Sequence, residues 1–150
     1  MNKTAIIFIG IQASGKSTFY RERFADVVHI NLDTLHTRNK ETILLQECIT
    51  QGLSFVADNT NPTQKDREKY ILAAKAAGYQ VYGYYFQSVV ADCIARNRKR
   101  TGKARVPDTA VAATCKKLEL PRYAEGFDRL FYVRMTEDGF NVADWDESMP

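Results

Sequence analysis

Short apolar runs alternate along this chain with longer stretches in which apolar positions recur at helical spacing. Thr4-Ala5-Ile6-Ile7-Phe8-Ile9 is an apolar, β-branched-rich run, the pattern of a strand buried on both faces. Further strands are expected over 27–30, 53–57, 79–86 and 129–134. His29 lies inside the second of these and is read as a packed core histidine. Tyr20 and Phe24, four residues apart, predict a helix after the first strand. A second helix is expected over 35–50, where Leu35, Ile43, Leu44, Leu45, Cys48 and Ile49 recur among polar positions. Helices over 63–77, 89–100 and 107–117 complete the set, with Gly78 and Pro121 as stops. Residues 137–150 hold Glu137, Asp138, Asp144, Asp146 and Glu147 against no base, and read as a polar C-terminal appendage to a single domain over 1–150. Strand–helix alternation predicts an α/β fold: a parallel five-stranded sheet, right-handed crossovers and helices on both faces.

In such sheets ligands gather at the carboxyl ends of the strands. Three features fall there. Gly10-Ile11-Gln12-Ala13-Ser14-Gly15-Lys16-Ser17-Thr18, between the first strand and first helix, has the spacing G-x-x-x-x-G-K-S of a loop that wraps phosphates with its backbone N–H groups. Lys16 would reach the β- and γ-phosphates, and the Ser17 hydroxyl would ligate Mg²⁺. Lys16 is expected to face solvent when no nucleotide is bound. Asp33 follows the second strand, where a carboxylate could accept the proton of an acceptor hydroxyl or simply cap the next helix. Asp58 follows the third strand, where it could hold Mg²⁺ through water, orient Ser17, or form an Asx-turn with Asn59 and Asn61.

Charge is more informative in its distribution than in its sum of +3. Arg96, Arg98, Lys99, Arg100, Lys103 and Arg105 fall within ten residues that contain no acid. Arg96 and Arg100 share a helical face, from which guanidinium forks could clamp phosphate oxygens. Gly102 and Pro107 then suggest a mobile lid between two helices. Composition is ordinary for a globular protein, 45% hydrophobic and 26% charged, and no apolar run approaches a membrane span. The N-terminus lacks the features of a signal peptide. Cys48, Cys93 and Cys115 are odd in number and lack metal spacing, the pattern of reduced thiols in a cytoplasmic protein.

Taken in order, Gly10…Gly15-Lys16-Ser17, Asn31-Leu32-Asp33-Thr34-Leu35, Asp58-Asn59-Thr60-Asn61-Pro62 and the basic lid resemble the kinase domain of polynucleotide 5′-hydroxyl kinases. Both the phage enzyme and the kinase half of the animal end-healing enzyme are similar. The likeness extends through Leu118–Phe127 and covers about residues 4–134. It implies a three-layer P-loop kinase sandwich that uses ATP and Mg²⁺ to phosphorylate the 5′-OH end of DNA or RNA. By matching positions, Gly10, Ala13, Ser14, Gly15, Lys16, Ser17, Thr18, Arg96 and Arg100 would contact the donor, and Ser17 and Asp58 the metal. Asp33, as general base, would face the acceptor together with His36, Asp58 and Thr60; Lys16 and Arg100 would share the catalysis. Two departures stand out: Leu32 replaces an Arg common in the family, and His36 replaces the phage Arg that contacts the acceptor's phosphate. Two other readings remain open, a kinase of a nucleoside or other small hydroxyl metabolite and a nucleotide-dependent binding module. The bare D-x-D of Asp144-Trp145-Asp146 is read as accidental.

Overall fold

A computed structural model describes residues 3–148. One sheet runs through them in the order β2-β3-β1-β4-β5-β6. Its strands are β1 (Thr4–Ile9), β2 (Val28–Ile30), β3 (Phe55–Asp58), β4 (Gln80–Phe86), β5 (Arg129–Thr136) and β6 (Gly139–Asp144). The first five are parallel, and β6 pairs antiparallel with β5. The helices are α1 (Lys16–Arg23), α2 (Leu32–Leu35), α3 (Arg38–Gln51), α4 (Gln64–Ala76), α5 (Val90–Arg98) and α6 (Asp108–Lys117).

Period-two alternation in β1 divides the core. Ala5, Ile7 and Ile9 pack with Leu45 and Cys48 of α3 and with Tyr70, Ile71 and Ala74 of α4. Ile6 and Phe8 point to the opposite face, against Phe19 of α1 and Phe86 of β4. A third cluster, Ile11, Ala13, Cys93 and Val111, lies between the phosphate loop and the pair α5 and α6. Both faces of the sheet are thus covered, as its near-continuous apolar strands require.

The strand count departs from expectation. β6 occupies the segment read as an appendage, and its alternating Phe140 and Val142 pack on the face that carries Phe19. The helix expected over 35–50 is also divided. α2 ends at His36, which takes a left-handed conformation (φ 73°), and α3 restarts with the Thr37 side chain accepting from the Lys40 N–H. Thr37 competes for the backbone there and nucleates a new first turn.

β1 lies between β3 and β4, so the chain leaves it toward β2 and β3 on one side and β4 and β5 on the other. The carboxyl end of β1 is therefore the switch point at which such sheets hold ligands.

Candidate active site

A cavity of about 350 Å³ opens at that switch point. Lys16, Ser17, Asp33, Asp58, Thr60 and Arg100 are all on its wall. Residues far apart in sequence converge there because the loops after β1, β2 and β3 are tied together. Gly10 N donates to Thr60 O at 3.0 Å. Asn61 Nδ2 donates to Phe8 O at 2.9 Å, and Asn31 Nδ2 to Asp58 O at 2.6 Å. Side-chain amides thus satisfy backbone groups that the sheet leaves open at its edge.

The phosphate loop feeds directly into α1. Gly15 takes φ +100°, and α1 begins at Lys16 with no side chain capping its first N–H groups. A helix end left open in this way presents donors and a positive dipole to an anion. At Gly10 an added Cβ would meet Ser14 Oγ at 2.8 Å and Phe86 Cβ at 2.9 Å, so glycine is required there by crowding.

Lys16 does not face solvent. It is only 9% exposed, and its Nζ donates to Gly10 O at 2.9 Å and Ile11 O at 2.8 Å. The loop carbonyls replace the water it would otherwise bind. Desolvation by burial lowers its pKa to about 8, even though Asp58 nearby favours the charged form. The ammonium is therefore held inside the loop in a poorly solvated position, where an added phosphate would be strongly attracted.

Asp58 is buried beside it. Its Oδ2 accepts from Ser17 Oγ at 2.9 Å and lies 2.7 Å from His29 Nε2. His29 is not a core residue. It is half-buried and stacks on Tyr20 of α1, with ring centroids 3.8 Å apart, while its far edge reaches Asp58. Sequence patterning places His29 correctly in β2 but does not indicate which side of the strand meets the site. Asp33 is exposed on α2, at the mouth of the cavity. The helix cap is supplied by Asn31, whose side chain accepts from Thr34 N, so Asp33 is not needed as the N-cap.

The two arginines expected to act as a pair are separated. Arg100 lies on the cavity wall, whereas Arg96 Nε donates to Ala13 O at 2.7 Å and its NH2 to Cys93 Sγ at 3.3 Å. Arg96 thereby supports the left-handed turn at Ala13 (φ 63°). The segment between α5 and α6 is anchored at its base by buried Asn97, which bonds both backbone groups of Val106. His36 and Thr18 are exposed and stand off the cavity wall. Arg38 and Lys117 lie outside every motif, yet they share the wall with Gln12 of the phosphate loop and Lys103 of the basic segment. Gln12 also donates to Thr114 Oγ1 at 3.0 Å, joining the loop to α6.

The AAA domain family matches residues 41–121, more than half of the chain. The chain belongs to that family. The matched part of this AAA domain takes in Asp58, Thr60, Arg96 and Arg100 and begins beyond the phosphate loop. The chain is 29% identical over 140 residues to a putative bifunctional polynucleotide phosphatase/kinase of Acanthamoeba polyphaga mimivirus, covering 85% of the chain and 32% of the relative. It is 26% identical over 129 residues to the bifunctional polynucleotide phosphatase/kinase of Schizosaccharomyces pombe, covering 81% and 31%. The chain thus spans about a third of the length of the curated relatives it matches. Among solved structures, Chaetomium thermophilum Kti12 in complex with ADP-AlF3 shares the fold with a TM-score of 0.71 at 16% identity, over 89% of this chain and 92% of that one.

Proposed function

We propose that this domain is an ATP-dependent kinase that transfers the γ-phosphate to the 5′-OH end of a nucleic acid strand. The observation that carries the reading is the convergence, in one cavity, of a phosphate loop with its buried lysine, a carboxylate on α2 and a lid arginine. Likeness to two polynucleotide phosphatase/kinases supports the choice of acceptor. The open helix N-terminus, the desolvated Lys16 and the Ser17–Asp58 pair suit a nucleotide triphosphate with its metal. Bound ATP would supply the phosphoryl group, and Mg²⁺ would offset the charge on its oxygens. Among the described residues no group of three or more His, Cys, Asp or Glu gathers to hold a metal alone. Ser17 would ligate the ion directly and Asp58 through water.

The chain's own residues divide the remaining work. Lys16 and the α1 N–H groups bind the donor phosphates. Arg100 stabilises charge that builds on them during transfer. Asp33 accepts the proton from the attacking hydroxyl as the new O–P bond forms and the bond to the leaving diphosphate breaks. Arg96 shapes the loop by holding Ala13 O. Transfer of labelled γ-phosphate to a 5′-OH oligonucleotide, compared with a panel of nucleosides and sugars, tests the reading. The expected result is labelling of the oligonucleotide well above every small acceptor; preference for a small acceptor would overturn it.

A further inference from the structure

Asp33 stands on α2, a single turn from Leu32 to Leu35. A helix that short cannot hold itself, and its first N–H groups need outside acceptors. One comes from within the segment, as Asn31 Oδ1 accepts from Thr34 N at 3.2 Å. The other comes from β3's end, where Asn59 Oδ1 accepts from Leu32 N at 3.0 Å. The position of Leu32, and of Asp33 after it, therefore depends on which way the Asn59 amide is turned.

That orientation is set by Glu41, a residue of α3 that is 1% exposed and off the cavity wall, together with Tyr70 OH, which accepts from Asn59 Nδ2 at 3.2 Å and is itself turned by Glu41. Its Oε2 accepts from Asn59 Nδ2 at 2.9 Å and from Tyr70 OH at 2.9 Å. Its Oε1 accepts from Arg38 NH1 at 3.0 Å and from Lys69 Nζ. We propose that Glu41 is a positioning residue for phosphoryl transfer, fixing Asp33 through Asn59. An ionised carboxylate offers acceptors only, so Asn59 must turn its NH2 toward Glu41 and its oxygen toward Leu32 N. A glutamine at position 41 can present its own NH2. Asn59 is then free to turn over and set a donor against the Leu32 N–H, which releases the first turn of α2. The donor phosphates are untouched by this chain of bonds, so the effect falls on turnover.

The inference rests on the reading of Asp33 as the base, and the test separates the two. Full-chain Glu41→Gln, Asn59→Ala, the double variant, Lys69→Met and Asp33→Asn are assayed on a 5′-OH oligonucleotide, at a temperature where melting shows each folded. Glu41→Gln is expected to lose about 10–100-fold in kcat, the scale of a small misplacement of a reacting group. Its KM for ATP should stay within about twofold of wild type. Lys69→Met removes a Glu41 donor but leaves Asn59 in place, and should turn over normally. The double variant should be no slower than Asn59→Ala alone, because both act through one link. Wild-type kcat in Glu41→Gln, or losses that multiply in the double variant, overturns the proposal when Asp33→Asn is inactive. Where Glu41→Gln does not fold, Asn59→Ala decides: wild-type kcat there overturns it. An active Asp33→Asn overturns the base assignment instead.

Discussion

At the scale of single residues, the proposed function divides groups that would hold the donor from the group that would act on the acceptor. Asp33→Asn keeps the size of the side chain and removes the proposed base, and Asn31 still supplies the helix cap. Its kcat should fall by about 10²–10⁴-fold with ATP affinity little changed, measured by steady-state transfer and ATP titration. Arg100→Lys keeps a charge but loses the planar fork, so it should slow turnover and also weaken ATP binding. Equal losses of both parameters in the two variants would erase this division. Lys16 shows why a motif alone misleads about environment. Spacing identifies it, yet only the folded loop shows that its amine is buried against Gly10 O and Ile11 O.

At the scale of elements, the turn after β3 is held from beneath by Arg67 of α4. That guanidinium is fully buried, donates to Asn61 O and Glu119 O, and pairs with Glu125 at 2.8 Å. Arg67→Met takes the guanidinium from the Glu125 carboxylate, leaving it only the Arg122 N–H, and should cost about 3–5 kcal/mol, read from chemical denaturation. Glu41 joins α3 to α4 in the same manner. Burial alone would raise its pKa, but the Lys69, Tyr70 and Arg38 donors outweigh that and hold it below the usual carboxylate range. A carboxyl lowered in the folded state stabilises above its unfolded pKa and loses that contribution as pH falls through the folded value. The melting gap between wild type and Glu41→Gln should therefore be widest near about pH 7 and narrow below about pH 4. Strands β1 to β5 and most helices were legible from apolar runs and stops, because burial on both faces leaves so plain a pattern. The turn at His36 and Thr37 was not, since a cap within a helical spacing looks like an ordinary polar position. β6 was hidden by the acids around it, although Asp138-Gly139 before alternating Phe140 and Val142 is a hairpin signal. His29 was placed in its strand but not at the site, because the register that carries its ring to Asp58 depends on β3.

At the scale of the whole molecule, the sheet brings three loop ends to one cavity, and the basic segment after α5 stands over it. The net charge of +3 is small, so only a few acceptor phosphates can be neutralised. Oligonucleotide binding should weaken with salt along a log–log slope of roughly −1.4 to −2.1, as for about two or three phosphates of a single strand. A slope near zero would instead fit a small acceptor. No helix among the described residues is long and apolar enough to cross a membrane. The most direct measurement of the account compares one oligonucleotide in two forms, with a 5′-OH and with a 5′-phosphate, using ATP labelled at the γ position. Wild-type protein should label the 5′-OH form alone, at its 5′ end, and Asp33→Asn should lose that labelling while still binding ATP. Equal labelling of both forms, or full labelling by Asp33→Asn, would contradict the account.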